Sequence, residues 1–275
     1  MLRRCGVLGD PVAHSLSPVL HRAGYAEVGL DWAYDAHRVA AGGLEAFLGG
    51  LGPEWRGLSL TMPLKREVLP LVDHLTDRAR LAGAANTLLL EDDGSRVGDN
   101  TDLPGATAAI RERTTAPLAT AAVLGGGATA TSVGLALADL GVRTLELLVR
   151  DASRARETVD ALRAHPGGVE VRTSSLEGDA AVEADVVVAT IPAGAQTDAL
   201  VARCGGVPVV FEVLYDPWPT PLAAATLASG RTLVGGLDLL VHQAALQFEL
   251  FTGLPAPLDA MRDAGERALS ARDPA

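Results

Sequence analysis

Short apolar runs alternate with helix-forming segments along most of this chain of 275 residues. In the second half the runs lack polar alternation, which is typical of strands that are buried on both faces of a parallel sheet. Strands joined by crossover helices predict an α/β fold. The strands expected in this half are residues 119–124, 144–149, 170–173, 185–190, 207–213 and 232–234.

The first hundred residues follow the same alternation, with one exception near their end. Two short apolar runs there flank a Glu-Asp-Asp-Gly turn and are expected to form a hairpin over residues 86–99. A second unit begins near residue 103, so we expect two α/β domains. The helices expected in the first unit are residues 18–28, 43–51, 65–72 and 77–82.

A glycine-rich turn follows the first strand of the second half. Residues 125–130 read Gly-Gly-Gly-Ala-Thr-Ala and lie between an apolar strand and an apolar helix. The spacing fits G-x-G-x-x-A, in which small residues let the backbone approach a pyrophosphate at a helix N-terminus. This context predicts a Rossmann-type dinucleotide-binding domain, and the alternative is a plain tight turn between strand and helix.

The end of the next strand gives two signals about the dinucleotide. An acidic residue at this place binds the ribose hydroxyls of NAD, whereas arginines accept the 2′-phosphate of NADP. Arg150 and Arg154 favour NADP. Asp151 either caps the following helix or argues for NAD. We expect NADP, and NAD stays open as the alternative.

In the first half, four polar clusters lie at the ends of predicted strands, which is where α/β folds bind ligands. Ser15 and Ser17 could hold a carboxylate with their hydroxyls and with helix-start N–H groups, although Ser17 could also simply cap the helix that begins at Pro18. Turn formation is the alternative for the asparagines of the later clusters. The clusters are residues 9–18, 59–65, 83–87 and 98–102.

Lys65 is the only lysine among the 23 Lys and Arg residues of the chain. A coding bias toward arginine accounts for the other basic residues. Arginine can replace lysine wherever only a positive charge is needed, but it does not release its proton in the useful pH range. Lys65 is therefore a candidate for a proton-transfer step.

The composition excludes several classes of function. A net charge of −11 and a pI near 5.0 argue against nucleic acid and anionic membranes as partners. Cys5 and Cys204 form neither a disulfide framework nor a metal-binding spacing, which suits a reducing compartment. No signal peptide or membrane span is expected. We expect a cytoplasmic protein, a monomer or a homodimer, that binds a small molecule and no metal.

Seven short motifs, in this order, resemble the shikimate dehydrogenase family over essentially the whole chain. They are GDPVAHSLSP, LTMPLK, GAANT, GDNTD, GGGATA, EVLYDPWPTPL and GLDLLVHQAALQFELFTG. The resemblance implies reversible, NADPH-dependent reduction of 3-dehydroshikimate to shikimate in aromatic amino acid biosynthesis. It also implies a substrate domain of residues 1–102 completed by helices in 237–275, an NADP-binding Rossmann-type domain of residues 103–236, and an active cleft between them.

The resemblance assigns roles to individual residues. Lys65 and Asp102 would form the catalytic pair. The substrate would bind to Ser15, Ser17, Thr61, Asn86, Tyr215 and Gln243. The cofactor would bind to Gly125, Gly126, Gly127, Ala128, Thr129, Arg150, Arg154 and Gly236.

Some positions depart from the family pattern and keep other functions open. Ser59 stands where the family usually has Asn, and we expect it to alter a contact with the substrate ring. Ser59 and Asp151 together motivate an alternative function, a quinate- or aminoshikimate-type dehydrogenase that could use NAD. A non-catalytic NADP-binding homologue is a further alternative. A Ser–His hydrolase built on His14 is disfavoured because the chain has no G-x-S-x-G motif.

Overall fold

The computed structural model describes residues 3–272, which divide into two compact units. The first unit comprises the described residues up to Thr101 and those from Leu240 onward, and the second runs from Asp102 to Leu239. Within residues 3–272, no helix is both long enough and apolar enough to span a membrane.

A six-stranded mixed sheet forms the centre of the first unit. Its strands are β1 (Arg3–Gly9), β2 (Trp32–Arg38), β3 (Trp55–Leu60), β4 (His74–Leu75), β5 (Thr87–Leu90) and β6 (Arg96–Asp99). They lie in the order β2-β1-β3-β5-β6-β4. β1 pairs in parallel with β2 and β3, whereas β5 runs antiparallel to both β3 and β6. The predicted hairpin is confirmed.

A six-stranded parallel sheet forms the centre of the second unit. Its strands are β7 (Thr120–Leu124), β8 (Thr144–Val149), β9 (Glu170–Ser175), β10 (Val186–Ala189), β11 (Val209–Glu212) and β12 (Thr232–Val234). The order β12-β11-β10-β7-β8-β9 is that of a doubly wound Rossmann sheet, in which ligands bind where the order reverses, here beside β7 and β10. The predicted α/β class is confirmed.

Helices connect the strands of both sheets and follow the last strand. In chain order they are α1 (Ser17–Glu27), α2 (Leu44–Gly49), α3 (Leu64–Glu67), α4 (Asp77–Ala82), α5 (Asp102–Arg113), α6 (Ala128–Asp139), α7 (Arg156–Arg163), α8 (Asp198–Arg203), α9 (Pro221–Ala228), α10 (Gly236–Thr252) and α11 (Leu258–Ser270). The division between the units falls within α10.

The helix predicted over residues 65–72 is shorter than expected. The structure has the single turn α3 followed by a 3₁₀ turn at Leu69–Leu71. Pro70 explains the break, because proline has no N–H to donate and its ring clashes with the carbonyl four residues earlier. The prediction of one continuous helix is therefore wrong.

Two helices of the second unit, α8 and α9, were not predicted. Each begins after a threonine whose hydroxyl accepts a hydrogen bond from the backbone three residues later: Thr197 from Leu200 N at 3.3 Å, and Thr220 from Ala223 N at 3.2 Å. Such N-caps are a signal that the sequence does contain.

A buried histidine lies at the centre of the aromatic packing of the first unit. The ring of His21, on α1, stacks on Tyr34 of β2 with centroids 4.1 Å apart and an interplanar angle of 8°. His21 is fully buried. Burial lowers the pKa of His21 to about 3, so the imidazole is neutral near pH 7. This side chain belongs to the core.

His21 makes the stability of the fold sensitive to acid. Because the pKa of His21 is lowered only in the folded state, the unfolded chain binds a proton from about pH 6.5 downward while the native chain does not. The free energy of unfolding therefore decreases as the pH is lowered through that range. Between pH 7.5 and 5.0 the free energy of unfolding should fall ~2 kcal/mol further in the natural protein than in His21→Phe. Urea unfolding at both pH values measures this difference, and an equal pH dependence in the two proteins would contradict it.

Candidate active site

Polar segments that follow the strands of the first unit lie side by side at one edge of its sheet. β1, β3 and β6 end at this edge, and the antiparallel β5 begins there. Thr61 N donates to Leu8 O at 2.9 Å, and Leu60 N donates to Asn86 O at 2.7 Å. These bonds join segments that are remote in sequence. Two of the predicted clusters, residues 59–65 and 83–87, are brought together in this way with residues 98–101 of the cluster predicted over 98–102.

Asn86 lies at the centre of this polar edge, with its side chain buried. Oδ1 accepts hydrogen bonds from Thr101 N at 2.7 Å and from Thr87 Oγ1 at 2.9 Å. Nδ2 donates to Thr101 Oγ1 at 2.9 Å and to Gln243 Oε1 at 3.2 Å. Two expected substrate-binding residues, Asn86 and Gln243, are therefore in direct contact although 157 positions separate them in sequence.

Lys65 is the second residue of α3, just after the end of β3. The helix begins where Leu64 N donates to Thr61 O at 2.8 Å. The backbone oxygen of Lys65 accepts a hydrogen bond from Ala85 N at 2.8 Å, which ties α3 to the segment that carries Asn86. The lone lysine therefore belongs to the same polar edge.

Ser15 and Ser17 lie at the start of α1. Ser17 is the first helical residue and is buried, whereas Leu16 occupies the N-cap position without a side-chain bond. Ser17 N donates to Ser15 Oγ at 3.3 Å. The alternative in which Ser17 merely caps this helix is therefore wrong.

The segment that leads to these serines is attached to the segment that holds Thr61. Asp10 N donates to Met62 O at 2.9 Å. At Gly9 any side chain would collide with the methyl group of Thr61, so the two backbones approach closely only because residue 9 is glycine. The cluster of residues 9–18 therefore borders the same edge.

An ion pair between the buried Asp99 and the partly exposed Arg78, which no sequence motif predicts, holds the end of β6. Asp99 accepts hydrogen bonds from Arg78 Nε and Thr76 Oγ1, each at 2.6 Å, and from Asn100 N at 2.7 Å. Burial alone would raise the pKa of Asp99, but the hydrogen bonds and the charge of Arg78 outweigh it and hold the pKa below its usual value. The carboxylate thereby orders the backbone directly before Thr101. Asp102, the next residue, is the first residue of α5 and lies in the second unit.

The glycine-rich turn of the second unit connects β7 to α6. Gly125 has a φ of +112°, a conformation that L side chains rarely adopt, and a side chain there would collide with Thr190. A Cβ at Gly126 would come within 2.6 Å of the Ala155 side chain, whereas one at Gly127 would meet nothing within 4 Å. The turn thus leaves open space at the N-terminus of α6, before Ala128 and Thr129. This geometry fits the pyrophosphate of a dinucleotide.

Asp151 caps the 3₁₀ turn that precedes α7. Its Oδ1 accepts from Ser153 N at 2.9 Å and from Ser153 Oγ at 2.7 Å, and these bonds lower the pKa of Asp151. Arg150 and Arg154 are exposed on either side of it. The sequence left two roles open for Asp151, and in the structure this residue caps the helical turn that follows it.

A buried carboxylate, also missed in the sequence, orders the loop that carries Tyr215. Glu212 ends β11 and accepts hydrogen bonds from Thr220 Oγ1 and Gln196 Nε2, each at 2.7 Å, and from Leu214 N at 3.0 Å. Burial raises its pKa, and these bonds offset part of the effect. At Gly236 a side chain would collide with the backbone of Leu214, so Gly236 lies against this loop.

Two family models match the chain. The model described as the shikimate dehydrogenase substrate binding domain matches residues 7–88, and the model described as the shikimate 5'-dehydrogenase C-terminal domain matches residues 236–264. A protein of Paramagnetospirillum magneticum named shikimate dehydrogenase (NADP(+)) is 38% identical over 264 residues, which cover 91% of this chain and 93% of that protein. The chain belongs to the shikimate dehydrogenase family.

Solved structures of similar sequence share the fold of this shikimate dehydrogenase family member. The crystal structure of Mycobacterium tuberculosis shikimate dehydrogenase has a TM-score of 0.86 and 41% identity, covering 96% of this chain and 99% of that one. A quinate dehydrogenase from Corynebacterium glutamicum, solved in complex with NAD, has a TM-score of 0.84 and 29% identity, covering 97% and 99%. The resemblance stated from the sequence motifs is confirmed.

Proposed function

We propose that this chain is an NADP-dependent shikimate dehydrogenase that reversibly reduces 3-dehydroshikimate to shikimate in aromatic amino acid biosynthesis. The observation that carries the proposal is the convergence of LTMPLK, GAANT and the first residues of GDNTD on Asn86 at one edge of the first sheet. The relative named shikimate dehydrogenase (NADP(+)), which matches 91% of the chain, supports the same activity.

In this proposal the first unit binds the substrate and the second unit binds NADP. The substrate-binding family model over residues 7–88 supports the first role, and the doubly wound sheet with its glycine turn supports the second. We take the enzyme to act in the cytoplasm on small molecules, as a monomer or a homodimer. The substrate-binding residues are Ser15, Ser17, Thr61, Asn86, Tyr215 and Gln243, and the cofactor-binding residues are Gly125, Gly126, Gly127, Ala128, Thr129, Arg150, Arg154 and Gly236.

Lys65 and Asp102 are the proposed catalytic pair. NADPH, when bound, supplies the hydride that reduces the ketone. Lys65 Nζ donates a proton to the substrate oxygen as negative charge develops there, and its ammonium stabilises that charge before the transfer is complete. Asp102 orients Lys65 and hydrogen-bonds the same oxygen. The hydroxyls of Ser15 and Ser17 hold the substrate carboxylate.

The residues that follow β8 support NADP over NAD as the cofactor. An acidic residue that binds the ribose hydroxyls of NAD must have its carboxylate available. The carboxylate of Asp151 is engaged as a cap by Ser153, and the two exposed arginines beside it can accept a 2′-phosphate. The quinate dehydrogenase bound to NAD among the structural relatives favours one second candidate, a quinate dehydrogenase that uses NAD.

Steady-state rates with shikimate and quinate, each with NADP and NAD, test the proposed function. We expect kcat/KM to be highest for shikimate with NADP, because the arginines accept the 2′-phosphate and Asp151 is committed to its cap. Faster turnover of quinate with NAD would establish the second candidate instead. Binding of NADP without turnover of either acid would identify a non-catalytic homologue.

Replacing Lys65 tests the proton-transfer role. Lys65→Ala removes both charge and proton donor, whereas Lys65→Arg keeps the charge and loses only the donor. We expect kcat to fall by about 100-fold or more in both variants, with a much smaller change in KM for shikimate. Near-normal turnover in Lys65→Arg would show that charge alone suffices and that Lys65 does not move the proton.

A further inference from the structure

A continuous series of buried side-chain hydrogen bonds runs from β2 to Asn86. Tyr34 OH donates to Ser59 Oγ, and Ser59 Oγ donates to Gln247 Oε1 at 2.6 Å. Gln247 Nε2 donates to Asn86 O at 3.1 Å and to Thr87 Oγ1 at 2.9 Å. These four residues from β2, β3, α10 and β5, together with Asn86, are here called the amide relay: Tyr34, Ser59, Gln247, Thr87 and Asn86.

The direction of every bond in the amide relay is determined by its chemistry. The backbone oxygen of Asn86 can only accept, so the atom of Gln247 that contacts it is the nitrogen, and the oxygen of Gln247 faces Ser59. The Ser59 hydroxyl therefore donates its single hydrogen bond to Gln247 Oε1 and accepts a hydrogen bond from Tyr34 OH. Burial raises the pKa of Tyr34, which keeps its hydroxyl protonated as a donor.

The same reasoning determines the orientation of the Asn86 amide. Thr101 N can only donate, so the atom of Asn86 that it contacts at 2.7 Å is Oδ1. Thr87 Oγ1 accepts a hydrogen bond from Gln247 and donates one to the same Oδ1 at 2.9 Å. Nδ2 thereby donates one hydrogen to Thr101 Oγ1 at 2.9 Å and the other to Gln243 Oε1 at 3.2 Å, and the longer bond to Gln243 is the one that a ligand can replace. A flipped amide would set Nδ2 against two donors.

We propose that Ser59 and Gln247 are positioning residues that hold the Asn86 amide with its nitrogen toward the substrate, and so make the site specific for a substrate hydroxyl that accepts a hydrogen bond there. This inference rests on the proposed function in assigning Asn86 to the substrate. Ser59 is 4% exposed and Gln247 is 1% exposed, and they hydrogen-bond to each other and to Tyr34, Thr87 and the backbone of Asn86. They act on the substrate only through Asn86.

The first readout needs no substrate. Hydrogen exchange of the Asn86 side-chain amide, followed by NMR on the ligand-free protein, reports how firmly the amide is held. In Ser59→Ala, and in Gln247→Met, which is close in size but cannot donate, we expect this amide to exchange at least about tenfold faster than in the natural protein. Unchanged exchange in both variants would overturn the inference whatever the substrate proves to be.

The second readout uses shikimate and two analogues, each lacking one of the two ring hydroxyls that do not react. With shikimate, we expect kcat/KM to fall about tenfold in Ser59→Ala and Gln247→Met. With the analogue that lacks the hydroxyl bound by Asn86, the variants should be no slower than the natural protein, because the acceptor is gone. With the other analogue the tenfold loss should return.

A matched control separates positioning from general loss of structure. Thr252 lies on α10, as Gln247 does, and its hydroxyl donates to Phe248 O at 2.7 Å away from the amide relay. Thr252→Val should leave the discrimination between the three compounds unchanged. Equal losses for all three compounds in Ser59→Ala would contradict a positioning role. If the natural protein does not turn over shikimate, the proposed function fails, and the exchange experiment still decides the inference.

Discussion

The hydrogen bonds of the Asn86 side chain are the constraint on which the first unit depends. This one buried amide joins β5 to the backbone after β6 and to α10, and its own backbone joins β3. A buried amide that loses a partner keeps its desolvation cost of about 1–3 kcal/mol, so the surrounding elements are held to positions that satisfy it. Lys65 and the serine segment are attached to the same edge through backbone bonds.

The second unit solves a similar problem with different chemistry. There a buried carboxylate, Glu212, organises a loop through neutral donors, while Gly125 and Gly126 let the backbone take a path that side chains would block. Both devices lie at the carboxyl ends of strands, where neighbouring strand ends leave backbone groups available to a ligand. In each unit, buried hydrogen bonds therefore hold a set of polar groups in place at the end of that unit's own sheet.

Local patterns in the sequence were sufficient to predict much of this arrangement. The apolar runs predicted the parallel strands, and the motifs at strand ends predicted which segments carry polar groups. The break at Pro70 could have been predicted from the missing N–H, and α8 and α9 from their threonine caps. The amide relay could not, because Ser59 and Gln247 lie 188 positions apart and no periodicity links them. Which residue satisfies a buried polar group is decided by the tertiary fold.

A crystal structure of the complex with shikimate and NADP tests the central claim most directly. We expect Asn86 Nδ2 and Gln243 to lie within hydrogen-bond distance of a ring hydroxyl. Lys65 Nζ should contact the hydroxyl that reacts, and Ser15 and Ser17 should contact the carboxylate. A shikimate molecule bound with its carboxylate against Lys65, or with no contact to Asn86, would contradict the account.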